Sequence, residues 1–358
     1  MNGHIRKAAV CFMSFLLVLF LLDGQNNLFV TKASAIKHKT SHTSSNKIKP
    51  TQSSSIPSQQ GSTSSSNSIG CINYNPSTRT ISVSCTNPST RLTDIDNVLH
   101  DASILAKQTP AGAWLLSANL VIAKGATFHI DSSDTKWLKI NSKIIGSNND
   151  GSRRGSSSSS GKIRPAYWID VHGSLKIDSV KITSWDPTTN YYAKSNGSRT
   201  GIGQFIIGAP RPSIVIENDA TGHTDIMNSE IAYLGFEGGK HLGDSGLAYS
   251  GGDGSILKND NIHDMYFAFY SIGVGHMVIA NNIIRNSGHY GLDPHTGTHD
   301  LIIRNNTIYD NNGSGIICSL NCYNILIEDN KVHDNAENGI DFSRNMTNSI
   351  ARDNIVYN

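Results

Sequence analysis

From Ala113 to the C-terminus the chain alternates short aliphatic runs with Gly, Asn and Asp: AWLLSANLVIAKGATFHI, then WLKIN, WIDVHGSLKI and SVKITSW. Each run has the length of a strand, and none carries the three-to-four spacing of an amphipathic helix. The pattern then becomes periodic. Asn282, Asn306, Asn330 and Asn354 recur every 24 residues, as do Gly291, Gly315 and Gly339. Around each Asn the local text returns as NNIIRN, NNTIYD, DNKVHD and DNIVYN. Repeats of this length, built from short strands without a helical segment, predict a solenoid of β coils rather than a helical or leucine-rich repeat.

In a parallel β-helix each coil lies on the last at a rise of about 4.8 Å, so equivalent residues form columns. The Asn column is then a ladder of amides bonded above and below. Aliphatic columns such as Ile303/Ile327 and Ile302/Leu326 alternate inside and outside. The span 113–358 has length for roughly ten such coils if no insertion intervenes. Two stretches do break the texture, Asn149–Gly161 (NDGSRRGSSSSSG) and Gly235–Gly254. The last residue, Asn358, falls within a coil. The exposed strand edges there imply a missing segment, or a cap that is absent or supplied by a partner.

The preceding residues have a different pattern. Arg6 and Lys7 precede an apolar run, Ala8 to Leu22, followed by Ala33-Ser34-Ala35. This is the layout of a secretory signal peptide over 1–35, with an uncleaved anchor as the alternative. Residues 36–70 are rich in Ser and Thr with few apolar side chains, a composition that predicts a disordered linker. Over 71–112 the sequence predicts a hairpin from Cys71 to Cys85 turning at Asn75-Pro76-Ser77. A short helix follows, roughly Thr93 to Lys107 and capped by Thr93 or Asp94, suited to closing the open end of the solenoid.

Composition adds limits. Charged residues make up 16% of the chain and the formal net charge is +2, so no global basic field points to nucleic acid. Without the leader four cysteines remain, and an even number in an exported chain predicts disulfides. The local pairs are Cys71–Cys85 and Cys318–Cys322, although four cysteines allow three pairings. A Cys-x3-Cys without a second half is not a zinc site, and no acidic run matches a calcium loop, so neither metal nor cofactor is expected. Asn196, Asn305, Asn312 and Asn345 stand in glycosylation sequons that an Asn/Ser/Thr-rich chain also produces by chance.

The chemistry concentrates in one rung, His289-Tyr290-Gly291-Leu292-Asp293-Pro294-His295-Thr296-Gly297-Thr298-His299. Counting by 24, Asp293 stacks on Ile317 and Asp341, His295 on Ser319 and Ser343, and Thr296 on Leu320 and Arg344. Asp293 and His295, two apart on a strand, share a face. That face holds a base candidate, a carboxylate to orient it, and a cation. Tyr290 joins them only from a turn, for which Gly291 provides the break. Two proton-transfer groups on opposite sides of one carbon suit epimerisation, and the same pair suits β-elimination.

HYGLDPHTGTHDLIIRNNTIYDNN resembles the Tyr-Gly-hydrophobic-Asp-Pro-His motif of the mannuronan C5-epimerases, most closely the periplasmic bacterial type. The similarity runs over Ser229–Asn358 and includes SEIAYLGFEGGK, DMYFAFYS, SGIICS and GIDFSRNMTNSIARDNIVYN. The resemblance implies an all-β, right-handed parallel β-helix acting on an anionic polysaccharide. It implies His295 as the base that removes H5, Tyr290 as the acid, and Asp293 as their partner. The arginine with which the family neutralises the substrate carboxylate falls here at Leu320. Arg344, Lys240 and Lys258 are the cations available in its place, with His289 and His299 as further substrate-binding candidates. The expectation is a secreted, periplasmic or cell-surface monomeric polyuronate epimerase. The alternatives are a polysaccharide lyase, a non-catalytic carbohydrate-binding or adhesive β-helix, and more distantly an accessory protein for metal-enzyme maturation.

Overall fold

The computed structural model describes residues 70–143, 166–194, 199–200, 204–205, 210–237 and 245–358. The expected leader, the Ser/Thr-rich tract up to residue 69, the insertion Asn149–Gly161, Asn196 and Lys240 lie outside the described residues. Among the described residues no helix is long and apolar enough to cross a membrane.

Two ten-stranded sheets and one eight-stranded sheet run the length of the solenoid. The chain visits them in turn, as in Leu292–His295 (first sheet), Ile302–Arg304 (second) and Thr307–Tyr309 (third). Successive coils pair in parallel, with Ile302 opposite Leu326 and Thr307 opposite Lys331. Each complete coil contributes one strand to the eight-stranded sheet, so the described residues hold eight coils rather than about ten. The insertions consume the difference.

Each sheet sends one aliphatic column inward. Ile177, Ile226, Leu257, Ile279, Ile303 and Ile327 form it on the second sheet, and Leu138, Ile182, Ile231, Ile262, Ile284 and Ile308 on the third, all fully buried. Burial of such a side chain contributes roughly 1.5–3 kcal/mol, so repetition of one aliphatic per strand builds the core. Ile302 and Leu326 lie on the outer face, half-buried. Between second and third sheets the chain turns on one left-handed residue. Asn259, Asn281, Asn305, Asp329 and Asp353 all have φ between 55° and 60°. Asn and Asp tolerate that conformation, which accounts for the recurring Asn/Asp before each ladder position.

The ladder forms as expected. The Nδ2 groups of Asn282, Asn306 and Asn330 donate to Oδ1 of the next Asn at 2.9–3.0 Å, and each backbone N–H donates to the same oxygen. A second, shorter ladder that the period did not single out joins Asn311 to Asn335 at 2.8 Å.

At the N-terminal end Ile72–Asn75 and Thr80–Val83 form the expected hairpin, closed by the Cys71–Cys85 disulfide. Thr80–Val83 pairs in parallel with Asn119–Ile122, so the hairpin opens the first sheet. The helix is shorter than its expected span. It covers Leu92–Leu99, capped by Arg91, whose N–H donates to Asp94 at 2.9 Å. His100 takes a left-handed conformation and ends it. Leu105–Gln108 is a strand, antiparallel to Ala113–Leu116, because that pairing outweighs the helical preference of Leu, Ala, Lys and Gln. Leu92 and Ile95 are buried against the core.

The second expected disulfide is not formed: Cys318 and Cys322 are free thiols. Cys318 is fully buried at the end of the strand Ile316–Cys318. Cys322 follows a turn in which Leu320 and Asn321 are both left-handed, and its thiol donates to the Ser319 carbonyl at 2.9 Å. Each sulfur therefore has its own place in the packing, and even-number arithmetic does not carry that information.

Candidate active site

The outer face of the first sheet departs from the repetition. Register brings Tyr270 opposite Asp293 and Ile272 opposite His295, while Ile317 stands opposite Asp341 one coil further. Asp293 and His295 share this outer face, and Leu292 between the same coils points into the core. The inward column is apolar here too, with Phe269, Leu292 and Ile316 fully buried, but the outward column beside it reads Tyr270, Asp293, Ile317, Asp341.

Asp293 is 3% exposed, and among the described residues its Oδ1 has no hydrogen-bond partner. Burial raises its pKa to about 7 and the charge of Arg344 opposes that rise. An acid this deep, with an unsatisfied oxygen, costs stability and is the sort of group that functional sites retain. His295 is half-buried, and burial followed by the Arg344 charge lowers its pKa, keeping the imidazole neutral near pH 7. Its Nδ1 lies 2.7 Å from Thr296 Oγ1. Thr296, rather than the expected Asp293, therefore orients the ring, because Asp293 sits two residues back and deeper in the sheet. Thr298 Oγ1 donates to the His295 carbonyl at 2.7 Å and lies 3.1 Å from Ser271 Oγ, which ties the strand end to the preceding coil.

Tyr290 enters from the turn before Leu292–His295, as its position ahead of Gly291 suggested. Its ring lies against the following coil, where a Cβ on Gly313 would come within 2.6 Å of it. Burial, with Glu337 and Asp293 adding negative charge, raises its pKa and keeps the phenol protonated. His289 stacks on Phe267 at 5.0 Å and meets Tyr290 edge-on at 3.9 Å, so its place is to hold the Tyr290 ring.

Arg344 places a positive charge on this face. It occupies the column of Thr296 and Leu320, all three left-handed, and reaches back so that Nη2 lies 3.5 Å from Ser319 Oγ. Ser319 is the residue stacked on His295. The positive charge of Arg344 acts on Tyr270, Tyr290, Asp293 and His295 alike. One guanidinium thus bears on four titratable groups of this face.

Two candidates are not brought here. Lys258 ends Ile256–Lys258 on the second sheet. His299 lies in the corner between first and second sheets, paired with Asp300 at 2.8 Å and stacked on Tyr323. One residue was missed. Tyr270 packs its ring 5.4 Å from that of His295, and burial, with Asp293, pushes its phenol up to about 12. Its column was hidden because Tyr270 lies opposite Asp293 at a separation of 23 residues, so that counting back by 24 lands on Phe269 instead.

Comparison with known proteins agrees with the fold. Residues 206–358 match the family described as a right handed beta helix region. No curated protein sequence matches the chain. Among solved structures, the periplasmic alginate epimerase AlgG is similar with a TM-score of 0.55 and 20% identity, over 78% of this chain and 62% of that one. A double mutant of AlgG gives a TM-score of 0.59 at 21% identity with the same coverage. The chain therefore spans less than two thirds of the length of these relatives, and at this identity they establish a shared right-handed parallel β-helix.

Proposed function

We propose that the chain is an exported polyuronate C5-epimerase of the mannuronan type. The observation that carries this reading is the single charge shared by four groups: Arg344 lies over Ser319 and acts on His295, Asp293, Tyr290 and Tyr270 together. Removing the proton next to a carboxylate requires that carboxylate to be neutralised first, and a guanidinium beside a half-buried base meets that need. Arg344 starts one coil beyond Leu320, the position at which the resemblance implies an arginine, and its side chain reaches back to Ser319 next to it.

In the proposed mechanism His295, neutral and held through Nδ1 by Thr296, takes H5 on Nε2. The C5–H electron pair moves into the carboxylate to give an enolate-like dianion, stabilised by Arg344 and by the protonated fraction of Asp293. Tyr290, kept protonated by burial, returns a proton to C5 from the opposite face. His295 then loses its proton and the Tyr290 phenolate regains one, both through solvent. If the intermediate instead expelled its 4-O substituent, the same first step would end in β-elimination.

The test is to incubate the chain with polymannuronate in deuterated water. C5 is followed by NMR and unsaturated ends by ultraviolet absorbance. Deuterium at C5 with inverted configuration is the expected result, abolished in Tyr290→Phe and retained, though slowed, in Tyr270→Phe. Unsaturated ends without inversion would make the chain a lyase. Failure of the folded chain to exchange C5 of polymannuronate or other polyuronates would sink both enzyme readings and leave a carbohydrate-binding β-helix.

A further inference from the structure

A repeated local pairing has one exception. At three third-sheet or corner positions a histidine lies against the aspartate that follows it, Nδ1 to Oδ2: His263–Asp264 at 2.7 Å, His299–Asp300 at 2.8 Å and His333–Asp334 at 2.7 Å. His333 is packed in an aromatic stack between Tyr309 and Tyr357. His263 also contacts Glu230, whose carboxylate is paired with Lys181 at 2.8 Å, so a cation already stands there. Only His299–Asp300 faces a second imidazole. His276, from the preceding coil, lies edge-on to His299 with ring centroids 5.6 Å apart. His276, His299 and Asp300 each present one ligand atom within 4.8 Å of the others, the one such group among the described residues.

The surroundings hold these groups in place. His299 pairs with Gly275 on one side and Tyr323 on the other as successive β-bridges. Its ring lies directly over Gly275, where a Cβ would fall 2.3 Å from Cε1, and it stacks on Tyr323 at 4.8 Å and 9°. Any side chain at 275 would push the ring out of this slot. Asp300 keeps its second oxygen on Asn324 Nδ2 at 3.0 Å.

We propose that His276, His299 and Asp300 bind one divalent transition-metal ion, of the zinc class, that staples two consecutive coils at the corner beside His295. Two imidazoles and one carboxylate favour zinc, copper, nickel or cobalt over calcium or magnesium, which select oxygen. His276 belongs to the coil of Phe267–Ile272, His299 and Asp300 to that of Leu292–His295, so the ion ties the two coils beside the Ser271–Thr298 hydrogen bond that already links them. Through Thr298, which bonds the His295 carbonyl, the same corner anchors the end of the strand carrying the proposed base. The site does not depend on the epimerase reading.

The experiment uses the full chain without a histidine tag, stripped with a chelator and titrated with zinc chloride or calcium chloride by calorimetry and thermal melting. Cobalt substitution is read by visible absorption. The expected outcome is one zinc per chain and a raised melting temperature, no response to calcium, and a cobalt spectrum of mixed nitrogen and oxygen coordination. His276→Ala, at the surface, and Asp300→Asn, isosteric at a partly buried position, should fold and weaken binding at least about tenfold, while His333→Ala, with the same local pair but no second imidazole, should leave it unchanged. The proposal fails if zinc does not bind stoichiometrically. It also fails if His276→Ala and Asp300→Asn bind as the parent does, or if His333→Ala loses binding equally.

Discussion

Two columns of the same coils make opposite use of stacking. In the ladder from Asn282 to Asn354, every residue is the same and every buried amide is satisfied by the one above and below. On the first sheet the column Tyr270–Asp293–Ile317–Asp341 changes at every step, and its buried carboxyl is left with an oxygen unpaired. Both columns ride on the same aliphatic core. Repetition therefore accounts for the regularity of the solenoid, and a break in repetition brings titratable groups together on this face.

The comparison is broken most strongly by removing the proposed base. His295→Gln keeps a polar side chain of similar reach but cannot take a proton, so turnover of polymannuronate should fall by about 10²–10⁴-fold. Because His295 lies outside the core, the thermal melt should barely move. A collapsed melt would assign His295 to the architecture instead. The converse substitution belongs on the ladder. Asn306→Ala strips the acceptor from the Asn282 N–H, one of the two acceptors from Asn282 Nδ2 and a donor from the Ile279 carbonyl, all buried, while Asn330 Oδ1 keeps the backbone N–H of residue 306. Chemical denaturation should report a loss of roughly 3–5 kcal/mol, at about 1–3 kcal/mol for each stranded group with partial relaxation. A loss below about 1 kcal/mol would mean that the ladder is decoration on the aliphatic core.

How much of this was legible in the sequence follows from the same contrast. Where the period is 24, counting gives contacts. It placed Asn306 on Asn330, put Ser319 on His295 and brought Arg344 into the column of Thr296. Alternation along the strand implied that Tyr290 needs a turn to reach Asp293. Where insertions or a bulge break the count, contacts vanish from view. Tyr270 lies opposite Asp293 at a separation that is not 24, and Lys258 proved to belong to another sheet. Local pairings between side chains were the least visible. Thr296 takes the His295 Nδ1, and Cys318 and Cys322 remain apart, because these depend on side-chain direction within one turn rather than on register.

Asp260 gives the finest test, since it is a carboxyl standing in the ladder. Its Oδ1 accepts from the Ser229 N–H at 2.8 Å, and its own N–H donates to Asn282 Oδ1 at 2.9 Å, the bonds a ladder Asn would make. Among the described residues its Oδ2 has no partner, and it stands where Asn282 and Asn306 carry a donating nitrogen. Burial raises the pKa to about 7, against backbone donation from Ser229 and Lys258. The native state thus binds the proton more tightly than the unfolded chain, whose aspartate titrates near 4. Stability is then unaffected by this group below about pH 4, falls as pH rises between about 4 and 7, and levels off above that. Asn supplies the donor at every pH. Asp260→Asn should therefore leave stability nearly unchanged at pH 4 and raise it by roughly 1–3 kcal/mol at pH 8, within the ceiling that a shift of this size sets. The check is a pair of denaturation curves at the two pH values. An equal gain at both would assign the effect to packing, and no gain at pH 8 would show that the carboxylate is already solvated in the ladder.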